Sequence, residues 1–199
     1  MLNEIHSIIT KEKIRSSYIL NNYGEIIYNF VRKKRPDNCL EIGVLDGYST
    51  IFIAQALVDN DFGKLNSYDL FENYEYKNSK YNDVKNRLEK LNLDSRVNLK
   101  HGDAYSIVEN IEKNSLDFVH IDISNDGSVY EWAFEIFLLK LSPGGILILE
   151  GGTEERDSVE WMSKYNKPPI QAVIERFKET WNIQVVKDFP GLTIATKKV

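Results

Sequence analysis

One stretch restricts this chain more than any other: Cys39-Leu40-Glu41-Ile42-Gly43-Val44-Leu45-Asp46-Gly47-Tyr48-Ser49-Thr50. An apolar strand carries an acid near its end, and two glycines follow, four residues apart. A helix then opens on Ser49 and Thr50 and continues through Ile51-Phe52-Ile53-Ala54. Glycine is favoured where φ is positive or where a ligand approaches the backbone closely. A helix N-terminus leaves N–H groups without intrahelical partners, and these suit a negative group. Strand, glycine turn and helix together predict an α/β fold. They also predict a pocket for a small molecule bearing an adenosine and a carboxylate or phosphate.

The remainder of the chain continues the pattern. Residues 3–34 read as two helices, the second carrying Ile19, Leu20, Tyr23, Ile26, Ile27, Phe30 and Val31 at helical spacing until Pro36 stops it. Strands are expected at Asn38–Ile42, Lys64–Asp69, Arg96–His101, Leu116–Asp122 and Gly145–Leu149. Helices are expected at Ser49–Val58, Asn78–Leu91, Ala104–Glu112, Ser128–Leu141 and Pro169–Thr180. Such alternation implies right-handed crossovers and a mainly parallel sheet covered on both faces. Ile183–Lys187 and Leu192–Thr196 instead alternate by twos around Phe189-Pro190-Gly191, as a closing antiparallel hairpin does. The expected fold is therefore a doubly wound, seven-stranded mixed sheet preceded by N-terminal helices. Residues 1–35 form the helical extension and 36–199 the ligand-binding domain.

Bulk properties narrow the partners. The 199 residues suit one such domain. Net charge is −5 with the signs interspersed, which argues against a nucleic-acid partner, since phosphate neutralisation needs clustered cations. The one basic run, Arg32-Lys33-Lys34-Arg35, falls at the end of an expected helix, where cations offset the dipole. Cys39, the single cysteine, precludes an internal disulfide and suits a buried strand position. The chain shows neither a basic, apolar leader nor a membrane-length apolar run, and a soluble cytoplasmic protein is expected.

Five segments, each placed at a strand end, carry a resemblance: Leu40-Glu41-Ile42-Gly43 through Gly47-Tyr48-Ser49-Thr50; Ser67-Tyr68-Asp69; His101-Gly102-Asp103-Ala104; Phe118-Val119-His120-Ile121-Asp122; and Leu141-Ser142-Pro143-Gly144-Gly145. In this order the chain resembles the class I S-adenosylmethionine (SAM) methyltransferases over about residues 36–198, with their Rossmann-like sheet. It looks most like the small-molecule O-methyltransferases of the catechol, caffeoyl-CoA and macrolide-sugar kind. The resemblance implies a cofactor site of Glu41, Gly43, Gly47, Tyr48, Ser49, Asp69, Asp103 and Ala104. Ser49 and the nearby helix N–H groups would hold the methionyl carboxylate, and Asp69 the ribose hydroxyls. Asp103 would take the adenine amino group, and Glu41 would anchor the glycine turn or the methionyl ammonium. A nicotinamide domain would instead need G-x-G-x-x-G right after the first strand, and residue 45 is Leu where its middle glycine would fall.

The acceptor side should lie at the ends of the fourth and fifth strands, where His120, Asp122, Asn125, Asp126 and Glu150 stand. His120, Asp122, Asp126 and Glu150 are the candidates for catalysis. In metal-assisted relatives two strand-end acids and a following Asn or Asp hold a divalent cation such as Mg. Asp122 and Glu150 occupy those strand ends here, but Gly151 replaces the next ligand, with Glu154, Glu155 or Asp157 as substitutes. The segment Glu150–Pro169 is expected to face substrate, with Arg156 and Lys167 meeting an anionic group and Trp161 or Tyr165 stacking on a ring. The resemblance implies methyl transfer to an oxygen of a small acceptor, a sugar, polyol or phenol, with no membrane partner. The alternative is a SAM-binding protein without transferase activity, serving as sensor or assembly partner. The N-terminal helices can cover the site or pair two copies into a homodimer.

Overall fold

The computed structural model describes residues 2–76 and 78–198. Its chain divides into two compact units, one ending at Ser106 and the other beginning at Ile107. Seven strands are described: β1 (Asn38–Ile42), β2 (Lys64–Asp69) and β3 (Val97–His101) in the order β3-β2-β1 in the first unit, and β4 (Leu116–Ile121), β5 (Leu141–Glu150), β6 (Trp181–Val186) and β7 (Leu192–Lys197) in the order β4-β5-β7-β6 in the second.

The first unit runs α1 (Leu2–Lys11), α2 (Tyr23–Lys34), β1 (Asn38–Ile42), α3 (Tyr48–Asn60), β2 (Lys64–Asp69), α4 (Tyr81–Lys90), β3 (Val97–His101) and α5 (Ala104–Ile107). β1 pairs parallel with β2, Leu40 opposite Asn66, and β2 pairs parallel with β3, Ser67 opposite Leu99. Four of the five β1 residues are buried, Cys39 among them, as a strand covered on both faces requires. Helix α3 is buried from Tyr48 through Leu57 with no polar stripe, which marks a core helix rather than a surface one.

Two local expectations change. Ile19 and Leu20 lie on a 3-10 turn before α2, 40% and 93% exposed, because Asn22 takes a left-handed φ of 53° and breaks the helix there. One helix over 104–112 becomes the single turn α5 followed by a 3-10 turn at Val108–Asn110. The basic run does end α2, where Arg32 Nη1 donates to Asn60 Oδ1 at 2.5 Å and Arg35 Nη2 to the Asn60 carbonyl at 3.0 Å.

The second unit runs β4 (Leu116–Ile121), α6 (Gly127–Lys140), β5 (Leu141–Glu150), α7 (Glu154–Asp157), α8 (Glu160–Lys164), α9 (Ile170–Phe177), β6 (Trp181–Val186) and β7 (Leu192–Lys197). β4 and β5 are parallel, whereas β7 is antiparallel to both β5 and β6, the hairpin ending expected from the sequence. β5 begins earlier than its hydropathy suggests. Leu141 already pairs with Leu116, the register shifts across Ser142–Gly145, and pairing resumes at Ile146 opposite Phe118. Rings of Phe134, Phe177 and Trp181 stack obliquely where α6 meets α9 and β6, with centroids 5.2 and 5.5 Å apart. No described helix is long and apolar enough to cross a membrane.

Candidate functional site

In the first unit Glu41, Gly43, Gly47, Ser49 and Asp69 gather at one loop, whereas Tyr48 turns into the core and Asp103 and Ala104 stand apart at α5. Gly43 and Gly47 have φ of 89° and 85°, values that glycine adopts without the Cβ penalty. The Gly43 N–H donates to the Tyr68 carbonyl at 2.9 Å, tying the loop to β2. Asp69, at the end of β2, accepts the Val44 and Leu45 N–H groups on Oδ2 at 2.7 and 2.9 Å, and the Phe71 N–H on Oδ1 at 2.8 Å. A carboxylate offers about four acceptor positions, so these three bonds leave room for one further donor. Gly47 caps α3 without a side-chain hydrogen bond.

Beneath the loop, Glu41 is fully buried. Its Oε1 accepts from Ser49 Oγ at 2.6 Å, and its Oε2 from Thr50 Oγ1 at 2.6 Å and Ser67 Oγ at 2.8 Å. Three hydroxyls from α3 and β2 thus satisfy a carboxylate whose burial would otherwise be costly. The Ser49 hydroxyl proton is committed to Glu41. Tyr48 turns into the core against Tyr18 and Phe52, 3% exposed. Burial pushes its phenol up to about 12; the Gly24 amide comes near, but no well-aligned hydrogen bond to the hydroxyl forms among the described residues. At the end of β3, exposed Asp103 caps α5, accepting the Tyr105 and Ser106 N–H groups at 3.2 and 3.0 Å. Ala104 follows, 9% exposed.

Sequence reasoning passed over Asp46. It is 6% exposed and is gripped by Arg15, whose Nε lies 2.7 Å from Oδ2 and whose Nη2 lies 2.8 Å from Oδ1. Burial by itself would raise the Asp46 carboxyl, but the hydrogen bonds and charge of Arg15 outweigh it and hold the group below the usual aspartate range. An acid between Leu45 and Gly47 was a visible signal; an arginine 31 residues upstream was not.

In the second unit the strand-end acids are mostly engaged in holding the structure. Glu150 ends β5, 5% exposed, with Arg156 Nε 3.1 Å from Oε1 and Nη2 3.3 Å from Oε2. Arg156 Nη2 also donates to the Asn125 carbonyl at 2.9 Å, its guanidinium lies 4.9 Å from the Trp161 ring centroid, and its buried Nη1 makes no hydrogen bond among the described residues. Asn125 Nδ2 joins the two strand ends, donating to the carbonyls of Ile121 at 3.1 Å and Glu150 at 2.9 Å. Asp126, 2% exposed, caps α6 by accepting from the Ser128 and Val129 amides, and Lys167 Nζ lies 3.0 Å from its Oδ2. His120 is fully buried within β4, opposite Ile148 of β5. Asp122 follows β4 directly and is half-buried.

The segment after β5 packs inward. A Cβ on Gly152, whose φ is 103°, would lie 2.1 Å from Thr193 Oγ1, so the close approach there is to β7. Thr153 caps α7, and Asp157 caps α9 through the Ile170 and Gln171 amides at 2.7 and 2.9 Å. Glu154, Glu155 and Tyr165 are exposed, Trp161 is half-buried, and Arg156 is 6% exposed.

A divalent cation fits this donor set poorly. Hard cations want several oxygens, yet both Glu150 oxygens already face a guanidinium, and Asp157 caps a helix. Among the described residues no three of His, Cys, Asp or Glu cluster as a metal site would require.

Strand, glycine turn and buried helix, repeated along a mainly parallel sheet, define a Rossmann-like α/β fold. The chain belongs to the methyltransferase domain family, which matches it over residues 40–150, more than half its length. The resemblance drawn from the sequence is thereby upheld. Solved structures share the fold. A chain from Klebsiella pneumoniae is 20% identical with a TM-score of 0.74, the match covering 100% of this chain and 90% of that one. An O-methyltransferase from Bacillus cereus in complex with SAH is 24% identical with a TM-score of 0.72, covering 99% and 90%. The O-methyltransferase TomG from Streptomyces achromogenes, involved in tomaymycin synthesis and in complex with SAM, is 17% identical with a TM-score of 0.72, covering 100% and 89%.

Proposed function

We propose that this protein transfers a methyl group from SAM to an oxygen of a small acceptor, a sugar, polyol or phenol. The observation that carries the proposal is the Gly43–Gly47 loop, pinned by Asp69 and opening directly into the buried helix α3. The SAH and SAM complexes of the Bacillus cereus and Streptomyces achromogenes proteins, alike in fold, support an adenosyl ligand.

When bound, SAM supplies an electrophilic methyl on a sulfonium. The first-turn N–H groups of α3 meet its carboxylate, because the Ser49 hydroxyl is turned to Glu41. Asp69 receives a ribose hydroxyl on its remaining acceptor position, and Asp103 the adenine amino group. Glu41 is the buried anchor that sets the height of the loop over α3 and β2. For the acceptor we assign Asp122, half-buried directly after β4, to orient the hydroxyl and take its proton. Alignment of nucleophile, methyl and sulfur is the main contribution asked of the protein, up to roughly 7–11 kcal/mol in favourable cases. Residues 1–35 are a helical extension of the methyltransferase domain at 36–199.

Calorimetry with SAM and an acceptor panel scored by SAH release test this. Asp69→Ala should weaken SAM binding about tenfold or more, the loss of charge-assisted hydrogen bonds of ~1.5–3 kcal/mol. Asp122→Ala should abolish SAH release and leave SAM affinity intact. A wild-type protein that ignores SAM, or an unchanged dissociation constant in Asp69→Ala, would contradict the proposal.

A further inference from the structure

The cofactor loop contains a residue that does not rest there by itself. Leu45 has φ of 49°, a left-handed conformation uncommon for a branched apolar side chain. Such backbone persists only where its surroundings over-determine it, and it concentrates at ligand clamps. Four separate groups hold this one. Asp69 takes the Leu45 N–H, the Ser79 hydroxyl donates to the Leu45 carbonyl, Arg87 Nη1 donates to the Asp46 carbonyl at 3.1 Å, and Arg15 takes the Asp46 side chain.

Arg15 does the most of these. Its backbone N–H and Nε donate to Asp46 Oδ2 at 2.9 and 2.7 Å, and Nη2 donates to Oδ1 at 2.8 Å, a forked pair on a carboxylate whose side chain is only 9% exposed. The same Nη2 reaches the Asn78 carbonyl at 2.7 Å. Three residues upstream, Glu12 accepts from Arg87 Nε at 2.8 Å and Lys90 Nζ at 3.1 Å, both on α4. Buried Ile14 and Tyr18 flank Arg15 and keep the connection between α1 and α2 pressed down. The segment from Glu12 to Tyr18 is thus a strap drawn across the loop's outer side and fastened at both ends.

We propose that Arg15 is a positioning residue of the cofactor site: by clamping Asp46 it holds the Gly43–Gly47 loop in the shape that receives SAM. The N-terminal extension is on this account part of the binding site, acting through the loop without touching the ligand. The inference rests on the reading that this loop binds SAM, and the test separates the two.

SAH affinity is measured by calorimetry, and SAM and acceptor KM by steady-state kinetics, in the full chain and its variants. Arg15→Ala keeps one backbone bond to Asp46 but loses the fork and leaves a buried carboxylate uncompensated. It should weaken SAH about tenfold or more and raise the SAM KM, with acceptor KM unmoved. Arg15→Lys, which keeps the charge but not the fork, should lose about threefold, and Arg15→Ala/Asp46→Asn should recover part of the Arg15→Ala loss. Wild type that binds SAH, together with Asp69→Ala that does not and Arg15→Ala that binds as wild type, would overturn the positioning role and leave the cofactor assignment standing. Failure of wild type to bind SAH would overturn both. Should Arg15→Ala not fold, Arg15→Lys decides, and an unchanged SAH affinity in that variant counts against the proposal.

Discussion

The turns that follow β1 and β5 are built from the same parts and end up doing opposite things. Each has a buried glutamate at the strand end, Glu41 and Glu150, then glycines at positive φ, then a helix. Glu41 is held by three hydroxyls, Glu150 by the guanidinium of Arg156. Hydroxyls satisfy lone pairs without cancelling charge, whereas arginine cancels it. The first turn therefore has its acid met by neutral donors beneath a loop whose Val44 and Leu45 amides are held by Asp69. The second folds onto Thr193 and its own ion pair. A strand-end acid beside a glycine pair is ambiguous until its counter-group is known.

The sharpest way to break this contrast is to remove the cation. Arg156→Ala leaves Glu150 buried with its guanidinium gone, and denaturant titration should show a loss of about 3–5 kcal/mol, partly regained in Arg156→Met/Glu150→Leu. A double variant as unstable as the single one would mean that the pair is not the reason. Next comes the glycine whose space is filled from within. Gly152→Ala should lower stability by about 1–3 kcal/mol through overpacking against Thr193 Oγ1, 2.1 Å from the new Cβ, with SAM affinity of the folded fraction unchanged. Glu41→Gln should cost about 1–2 kcal/mol, less than the loss of Arg156, because hydroxyls can turn to accept from the new amide where arginine cannot. An equal or larger loss would remove the distinction between the two glutamates.

The smallest effect concerns Tyr48 at the head of α3. Its phenol is neutral when folded and held up at about 12 against an ordinary value of 10.0. The stability linked to it is therefore present below pH 10 and lost as pH rises through about 12. Tyr48→Phe should flatten that alkaline limb and change neutral-pH stability by less than ~0.5 kcal/mol, since the hydroxyl makes no well-aligned hydrogen bond among the described residues. A large neutral-pH loss would reveal a partner for that hydroxyl.

Much of the architecture could be read from local signals. β1 and β2 fall at Asn38–Ile42 and Lys64–Asp69 as their apolar runs indicate, and Gly47 begins α3 because a positive φ and a helix start are short-range events. The β6–β7 hairpin follows from period-two alternation around Pro190 and Gly191. Misreadings arose where two periods overlap or where pairing overrides hydropathy. Ile19 and Leu20 share the helical spacing of α2 but lie beyond the left-handed Asn22, and β5 extends back to Leu141 because Leu116 offers it a partner.

The glycine loop was legible because Glu41 and Asp69 serve it from neighbouring strands, and topology puts those in register. The chain by itself determined the strand–glycine–helix unit, the parallel order of the first strands and the acids that close them, since propensity, periodicity and turn chemistry act over a few residues. Only the folded structure decided which acids meet hydroxyls and which meet a guanidinium. Arg156 reaches Glu150 across a turn and Arg15 reaches Asp46 across two elements. Counter-charges act through space, at distances that sequence separation does not encode.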